Sequence, residues 1–361
     1  MSLSTLTDPS IYAIVEGEPG SYSWSQSVSK EGSTLGLSSA QVSSIHFPAS
    51  DRSVNEEVHA WLVKPSTFDE QKKYPLAMLI HGGPQGSWAD SWSTRWNLCT
   101  FAEQGYIVVA PNITGSTGYG QKFTDNIRRD WGGAPYRDIV NCFDYVAKLP
   151  EVDVDRAVAL GASYGGYMMN WIQGHDLGRK FKALVCHDGI FSLTGLLSTE
   201  ELYFPFYDLG GMPFGRASTD SVQTNLQKCA QNAQDLFGTT SFDSWQENDP
   251  SKFLDQWSIP QLVIHNSKDY RLPISEGLAA FNVLQARGIE SEFLMYPGEN
   301  HFVLNPENSL TWHKTVLNFI GTKVGKPKFA DEDEHSEEYW GGKKTDDSQG
   351  ADMPALGKPE T

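Results

Sequence analysis

The chain has 361 residues, 39% of them apolar, and a formal charge of −17. The apolar share suffices for one large or two medium cores and marks a globular enzyme. The acidic balance, without clustered Lys and Arg, excludes a phosphate-binding face and with it nucleic acid or an anionic membrane as partner.

The four cysteines, Cys99, Cys142, Cys186 and Cys229, lie far apart and form no CxxC or Cys/His spacing, so no metal site and no redox motif is expected. Cys186 reads as a packed strand residue. The opening residues, MetSerLeuSerThrLeuThrAspPro, carry neither a basic n-region nor an apolar h-region, and no stretch reaches the roughly 18 apolar residues of a membrane span. As written, the chain is expected to be soluble, without an export signal, and cytoplasmic if expressed alone.

Residues 1–50 are rich in Ser and Gly, with short alternating patches that predict β-strands without a core of their own, the end of a preceding unit. From Val58 an expected edge strand leads into the nearly continuous apolar run TyrProLeuAlaMetLeuIle, a buried strand ending in the Gly-rich loop HisGlyGlyPro (81–84). Short apolar strands follow at 106–111, 157–161, 183–187, 261–265 and 292–296. Helical spacing at 139–148 and 275–286 lies between them. This order predicts an α/β protein with a mostly parallel, twisted sheet covered by helices on both faces. Residues 212–245 break the pattern as an insertion or short cap. From Lys326 the acidic tail, 326–361, is expected to be disordered, and its AspGluAspGlu run to be solvated rather than a cation site.

Chemistry concentrates in AlaLeuGlyAlaSerTyrGlyGlyTyr (159–167), a strand entering GlyXaaSerXaaGly and then a helix. A sharp strand-to-helix turn at this spacing leaves no room for side chains at Gly161 and Gly165 and lifts the Ser163 hydroxyl from a strained corner. An alcohol needs a base to act as a nucleophile at neutral pH. The candidate base is His301 in TyrProGlyGluAsnHisPhe, placed after the last strand, where the order Ser, acid, His puts it. His81, His187 and His265 are its rivals, each read as anchoring a loop; His59 is set aside as lying before the core sheet. Asp269 follows the penultimate strand and would orient the imidazole, against the alternative of a turn Asp bonding nearby backbone. An N–H of the HisGlyGlyPro loop, where Gly82 and Gly83 let backbone approach the substrate, and the N–H of Tyr164 are the expected oxyanion donors, completing an α/β-hydrolase fold site. Tyr203 and Trp131 are candidate substrate-pocket residues that packing alone would also explain. GlySerThrGlyTyrGly (115–120) lacks the Lys of a phosphate loop, so no cofactor is expected. The sequon at Asn112 lies close to the expected site and carries no weight.

HisGlyGlyPro, AsnIleThrGlySerThrGlyTyrGly, TrpGlyGly (131–133), the Ser163 segment, HisAsnSerLysAspTyrArgLeuPro and GluAsnHis together resemble the prolyl oligopeptidase family of serine peptidases, most like the fungal dipeptidyl-peptidase V group, over roughly residues 40–325. The resemblance implies peptide substrates, release of N-terminal dipeptides through an acyl-enzyme at Ser163 with Gly83 and Tyr164 as oxyanion donors, and secretion. It also implies that residues 1–50 are the last strands of an N-terminal β-propeller and that 51–325 is the peptidase domain. A carboxylesterase on the same fold and a catalytically silent truncated fragment are the competing readings. Oligomeric state is not legible.

Overall fold

The computed structural model describes the strands Ser2–Ser4 (β1), Thr7–Glu16 (β2) and Tyr22–Val28 (β3), then residues 36–200, 203–213, 241–330 and 339–340. β1, β2 and β3 form an antiparallel sheet of their own. The main sheet has nine strands: Val42–Pro48 (β4), Glu57–Val63 (β5), Tyr74–Ile80 (β6), Ile107–Pro111 (β7), Val152–Ala162 (β8), Phe181–His187 (β9), Gln261–Ile264 (β10), Ser291–Leu294 (β11) and Tyr339–Trp340 (β12). Their spatial order is β12-β11-β10-β9-β8-β6-β7-β5-β4. The pairs from β7 through β11 are parallel, while β4, β5 and β12 join antiparallel.

The period-two alternation of side chains divides each central strand between two cores. Leu76, Met78 and Ile80 of β6 face one apolar cluster, and Ala77 and Leu79 face the other. The first cluster is covered by the helices Ala134–Val146 and Tyr164–Gln173, the second by Leu98–Ala102 and Pro306–Lys323. In chain order the helices are α1 (Leu98–Ala102), α2 (Gln121–Asp125), α3 (Ala134–Val146), α4 (Tyr164–Gln173), α5 (Tyr203–Tyr207), α6 (Ser241–Glu247), α7 (Ile274–Ala286) and α8 (Pro306–Lys323). On α3, buried Ile139, Cys142, Phe143 and Val146 fall on one stripe, the spacing that marked it in the sequence. A proline in its first turn starts the helix earlier than that stripe suggested.

Three expectations need correction. Val42–Pro48, grouped above with the preceding unit, is the edge strand of the main sheet, and β5 therefore lies inside it. The buried Asp138 carboxylate fastens this segment down by accepting from the N–H of Ser50 at 2.7 Å and from Thr114 at 2.8 Å (N–H) and 2.6 Å (hydroxyl). The alternation in β4 misled because most of its residues remain exposed, so the strand shows little core of its own. His59, likewise, is a β5 residue inside the sheet. The start of the acidic tail is ordered: Asn318 of α8 accepts from the N–H of Phe329 at 2.8 Å and donates to the Ala330 carbonyl at 2.8 Å. Beyond it, Tyr339–Trp340 pairs with β11. Of the insertion, 214–240 lies outside the described residues. Its end is α6, whose buried Trp245 donates to the Gly211 carbonyl at 2.9 Å. Among the described residues no helix is long and apolar enough to cross a membrane.

Candidate active site

Five loops at the carboxyl ends of β6, β8, β9, β10 and β11 converge, the edge at which open parallel sheets build their sites. Ser163 stands between β8 and α4 at φ 59°, ψ −119°, a left-handed backbone that costs a residue with a Cβ on the order of 1–3 kcal/mol. The turn holds because its N–H donates to the His187 carbonyl at 2.9 Å and its carbonyl accepts from Tyr167 at 2.9 Å. A Cβ on Gly165 would sit 2.2 Å from the Ile80 carbonyl oxygen, so the elbow presses backbone against backbone where only glycine fits.

His301 is nearly buried, and its Nδ1 lies 2.6 Å from Oδ2 of Asp269. The other oxygen of Asp269 accepts from the N–H groups of Arg271 at 3.0 Å and Leu272 at 2.9 Å. The carboxylate is thereby fixed in rotation, with one oxygen facing the imidazole. That bond places the proton on Nδ1 and leaves Nε2 as the acceptor. Ser163 and His301 line the same cavity, of about 440 Å³, together with Gly82 and Gly83. On the other side of Ser163 a second cavity of about 290 Å³ is lined by Gly83, Tyr164, Trp131 and Tyr203. The Tyr164 ring is buried, with its hydroxyl donating to the Trp131 carbonyl at 2.7 Å, so its backbone N–H is the part the site can use. As the first residue of α4, that N–H has no acceptor within the helix. Of the residues given roles at the site, Ser163, His301, Gly83, Tyr164, Trp131 and Tyr203 line one or both of these cavities, and Asp269 sits behind His301.

Two of the three rival histidines anchor loops. His81 contacts the Gly82 carbonyl through Nδ1 and the Ser116 hydroxyl through Nε2, each at 2.8 Å. Burial pulls its pKa down to about 4, with the Gly82 carbonyl opposing. His265 donates to the Leu272 carbonyl at 2.8 Å, bracing the loop that carries Asp269. His187 does not anchor one: its Nε2 lies 3.0 Å from Oδ2 of Asp188, but neither ring nitrogen makes a hydrogen bond among the described residues. Asn112 is fully buried; its amide accepts from Trp88 N–H at 2.7 Å and donates to the Trp88 carbonyl at 3.0 Å, so the sequon is closed to modification in the folded chain.

Among the buried acids that escaped sequence reasoning, two lie beside the site. Asp188 accepts from the Asn266 N–H at 3.0 Å. Burial alone would raise its pKa, but His187, then His265 and His301, hold it below the usual carboxylate range. Only its place directly after an apolar strand signalled it. Asp188, His265 and Asp269 approach closely enough to suggest a cation site. Their donor atoms are committed instead: Asp269 to His301 and two N–H groups, His265 to Leu272, Asp188 to Asn266. The second acid, Asp208, accepts from Gln85 Nε2 at 3.0 and 3.1 Å and from Trp131 Nε1 at 3.0 Å, tying together two walls of the 290 Å³ cavity.

Sheet order, elbow and converging loops define the class, an α/β-hydrolase carrying a serine at the nucleophile position. A family model described as "Prolyl oligopeptidase family" matches residues 92–327, and the chain belongs to that family. It is 53% identical over 296 residues to a probable dipeptidyl-peptidase 5 of Aspergillus clavatus, covering 81% of this chain and 37% of that protein. With the dipeptidyl-peptidase 5 of Schizosaccharomyces pombe it shares 49% identity over 322 residues, covering 89% and 42%. The chain thus spans less than half the length of these curated relatives. Among solved structures it resembles the acylaminoacyl peptidase of Pyrococcus horikoshii, with a TM-score of 0.64 at 23% identity over 81% of this chain and 43% of that one. A puromycin-hydrolyzing peptidase of Mycobacterium tuberculosis gives 0.65 at 20%, over 81% and 41%. Both likenesses concern the fold.

Proposed function

We propose that this chain is the peptidase unit of a dipeptidyl-peptidase, cleaving peptide bonds through an acyl-enzyme at Ser163. His301 Nε2 takes the hydroxyl proton as Ser163 Oγ bonds to the carbonyl carbon. The Asp269 carboxylate stabilises the imidazolium, and the N–H groups of Gly83 and Tyr164 receive the oxyanion. Collapse of the tetrahedral adduct breaks the C–N bond, and His301 passes its proton to the departing amine. Water, deprotonated by the same imidazole, then releases the acyl group.

The observation that carries this reading is the doubly tethered Asp269 holding His301 at 2.6 Å, in the cavity that Ser163 also lines. An oriented imidazole beside a serine held in a left-handed turn has no structural purpose that a cheaper arrangement would not serve. Release of dipeptides rests on the names of relatives about half identical in sequence. Trp131 and Tyr203 would receive the side chain of the acyl residue. Assaying an X-Ala dipeptidyl anilide beside a short-chain nitrophenyl ester tests the reading. Anilide cleavage supports it, ester cleavage alone points to a carboxylesterase, and silence on both to a catalytically silent piece of a longer protein.

A further inference from the structure

The two cavities that meet at Ser163 are chemically unlike. The smaller contains the Ser163 and Tyr164 side of the elbow without His301, and the larger contains His301. The imidazole must hand its proton to the leaving nitrogen, so the leaving segment departs on the side where His301 stands. The larger cavity is therefore the leaving-group side, and the smaller one holds the acyl residue.

In a chain of net charge −17, the lining of the larger cavity includes Arg95 and, shared with the smaller cavity, Arg271, and among the described residues no Asp or Glu. Arg95 is half-buried, and its guanidinium lies 4.3 Å over the ring of Phe302. Its backbone is set by Ser93, whose hydroxyl accepts from the N–H groups of both Arg95 and Trp96 at 3.2 Å. Burial works against its charge, lowering its pKa, and no carboxylate among the described residues offsets this. A guanidinium stays ionised even so, which leaves a partly desolvated cation at the cavity wall without a counter-ion among the described residues. The Phe302 ring beneath it is 5.3 Å from the His301 ring, so guanidinium and imidazole lie within roughly 10 Å of one another, while two extended residues span about 7 Å.

We infer that this cavity is a leaving-group site in which Arg95 takes a carboxylate of the departing segment. The chemistry fits either the terminal carboxylate of a leaving segment one or two residues long or an acidic side chain just beyond the scissile bond. Bidentate pairing with a planar carboxylate is what a guanidinium held over an aromatic ring is suited to. The inference rests on the roles given above to Ser163 and His301.

The test compares peptides that share one N-terminal dipeptide and differ in the leaving segment: Ala-Ala as the free acid, Ala-Ala amide, and Ala-Glu amide. On the full chain the free acid is expected to exceed Ala-Ala amide in kcat/KM by about tenfold, the scale of one partly exposed charge-assisted pair. Arg95→Gln should bring that ratio close to one, and Arg95→Lys should restore part of it. Recovery of the preference by Ala-Glu amide assigns it to a side-chain carboxylate; no recovery assigns it to the chain terminus. Equal rates for acid and amide in the wild type, or a preference that survives Arg95→Gln, overturns the site. Calorimetric binding of the same acid and amide to the Ser163→Ala chain reads the Arg95 dependence without turnover. A chain inactive on every substrate would thus refute the peptidase reading, while equal binding of acid and amide would separately refute this one.

Discussion

Oδ2 of Asp269 faces Nδ1 of His301 at 2.6 Å while Oδ1 of the same carboxylate is held by the N–H groups of Arg271 and Leu272. The two oxygens have different jobs, and the amide analogue cannot do both. In Asp269→Asn the two N–H donors retain the amide oxygen, which turns the NH₂ toward His301. The imidazole must then accept at Nδ1 and carry its proton on Nε2, the nitrogen needed as base. Turnover is expected to fall by roughly four orders of magnitude, with the thermal midpoint displaced by only a few degrees. A variant retaining a tenth of wild-type kcat would show that Asp269 does not set the tautomer.

Ser163 occupies a backbone region that glycine enters freely, at φ 59°. Ser163→Gly should therefore separate stability from activity: turnover lost by several orders of magnitude, and unfolding free energy raised by about 1 kcal/mol as the strain disappears. Urea unfolding of the two proteins measures the second effect. A destabilised Ser163→Gly chain would mean that the elbow is not strained.

The opposite outcome is expected two residues further along the chain. Gly165 has carbonyl oxygens of Ile80 and His81 at 2.2 and 3.2 Å from where a Cβ would lie, and neither can retreat without breaking the β6–β8 pairing. Gly165→Ala should lower the melting temperature by several degrees or prevent folding, the cost of overpacking being about 1–3 kcal/mol or more. Wild-type melting would show that the elbow can open.

How much of this was legible in the sequence depends on distance along the chain. The Ser163 turn is local, since its glycines, strand and helix are contiguous and dictate one another. Asp269 and His301 were found from chain order, because each follows a short apolar strand whose end must reach the same sheet edge. Val42–Pro48 was misplaced because alternation announces a strand but not its partner, and the pairing with β5 is fixed by burial far away at Asp138 and Thr114. Asp208 was invisible for the same reason. Gln85 and Trp131, its partners, lie 123 and 77 positions away, and nothing near Asp208 in sequence betrays that it is fully buried.

That burial gives Asp208 a measurable signature. Burial raises its pKa from 3.8 to about 6, although the bonds from Gln85 and Trp131 oppose the shift. The folded value lies above the unfolded one, so between about pH 4 and 6 the native chain holds a proton that the unfolded chain has released. Stability linked to this group is therefore greatest at low pH and declines as pH rises through that window, by about 3 kcal/mol in all. Asp208→Asn cannot ionise and escapes the decline, while paying a pH-independent penalty for setting an NH₂ against two donors. Relative to wild type, the variant is expected to gain stability from pH 4 to pH 7 by up to that amount, read as the difference between paired urea unfolding curves, in which all other titrations cancel. A difference flat with pH would show that the Asp208 carboxylate is ionised throughout, and that Gln85 and Trp131 between them fully offset its burial.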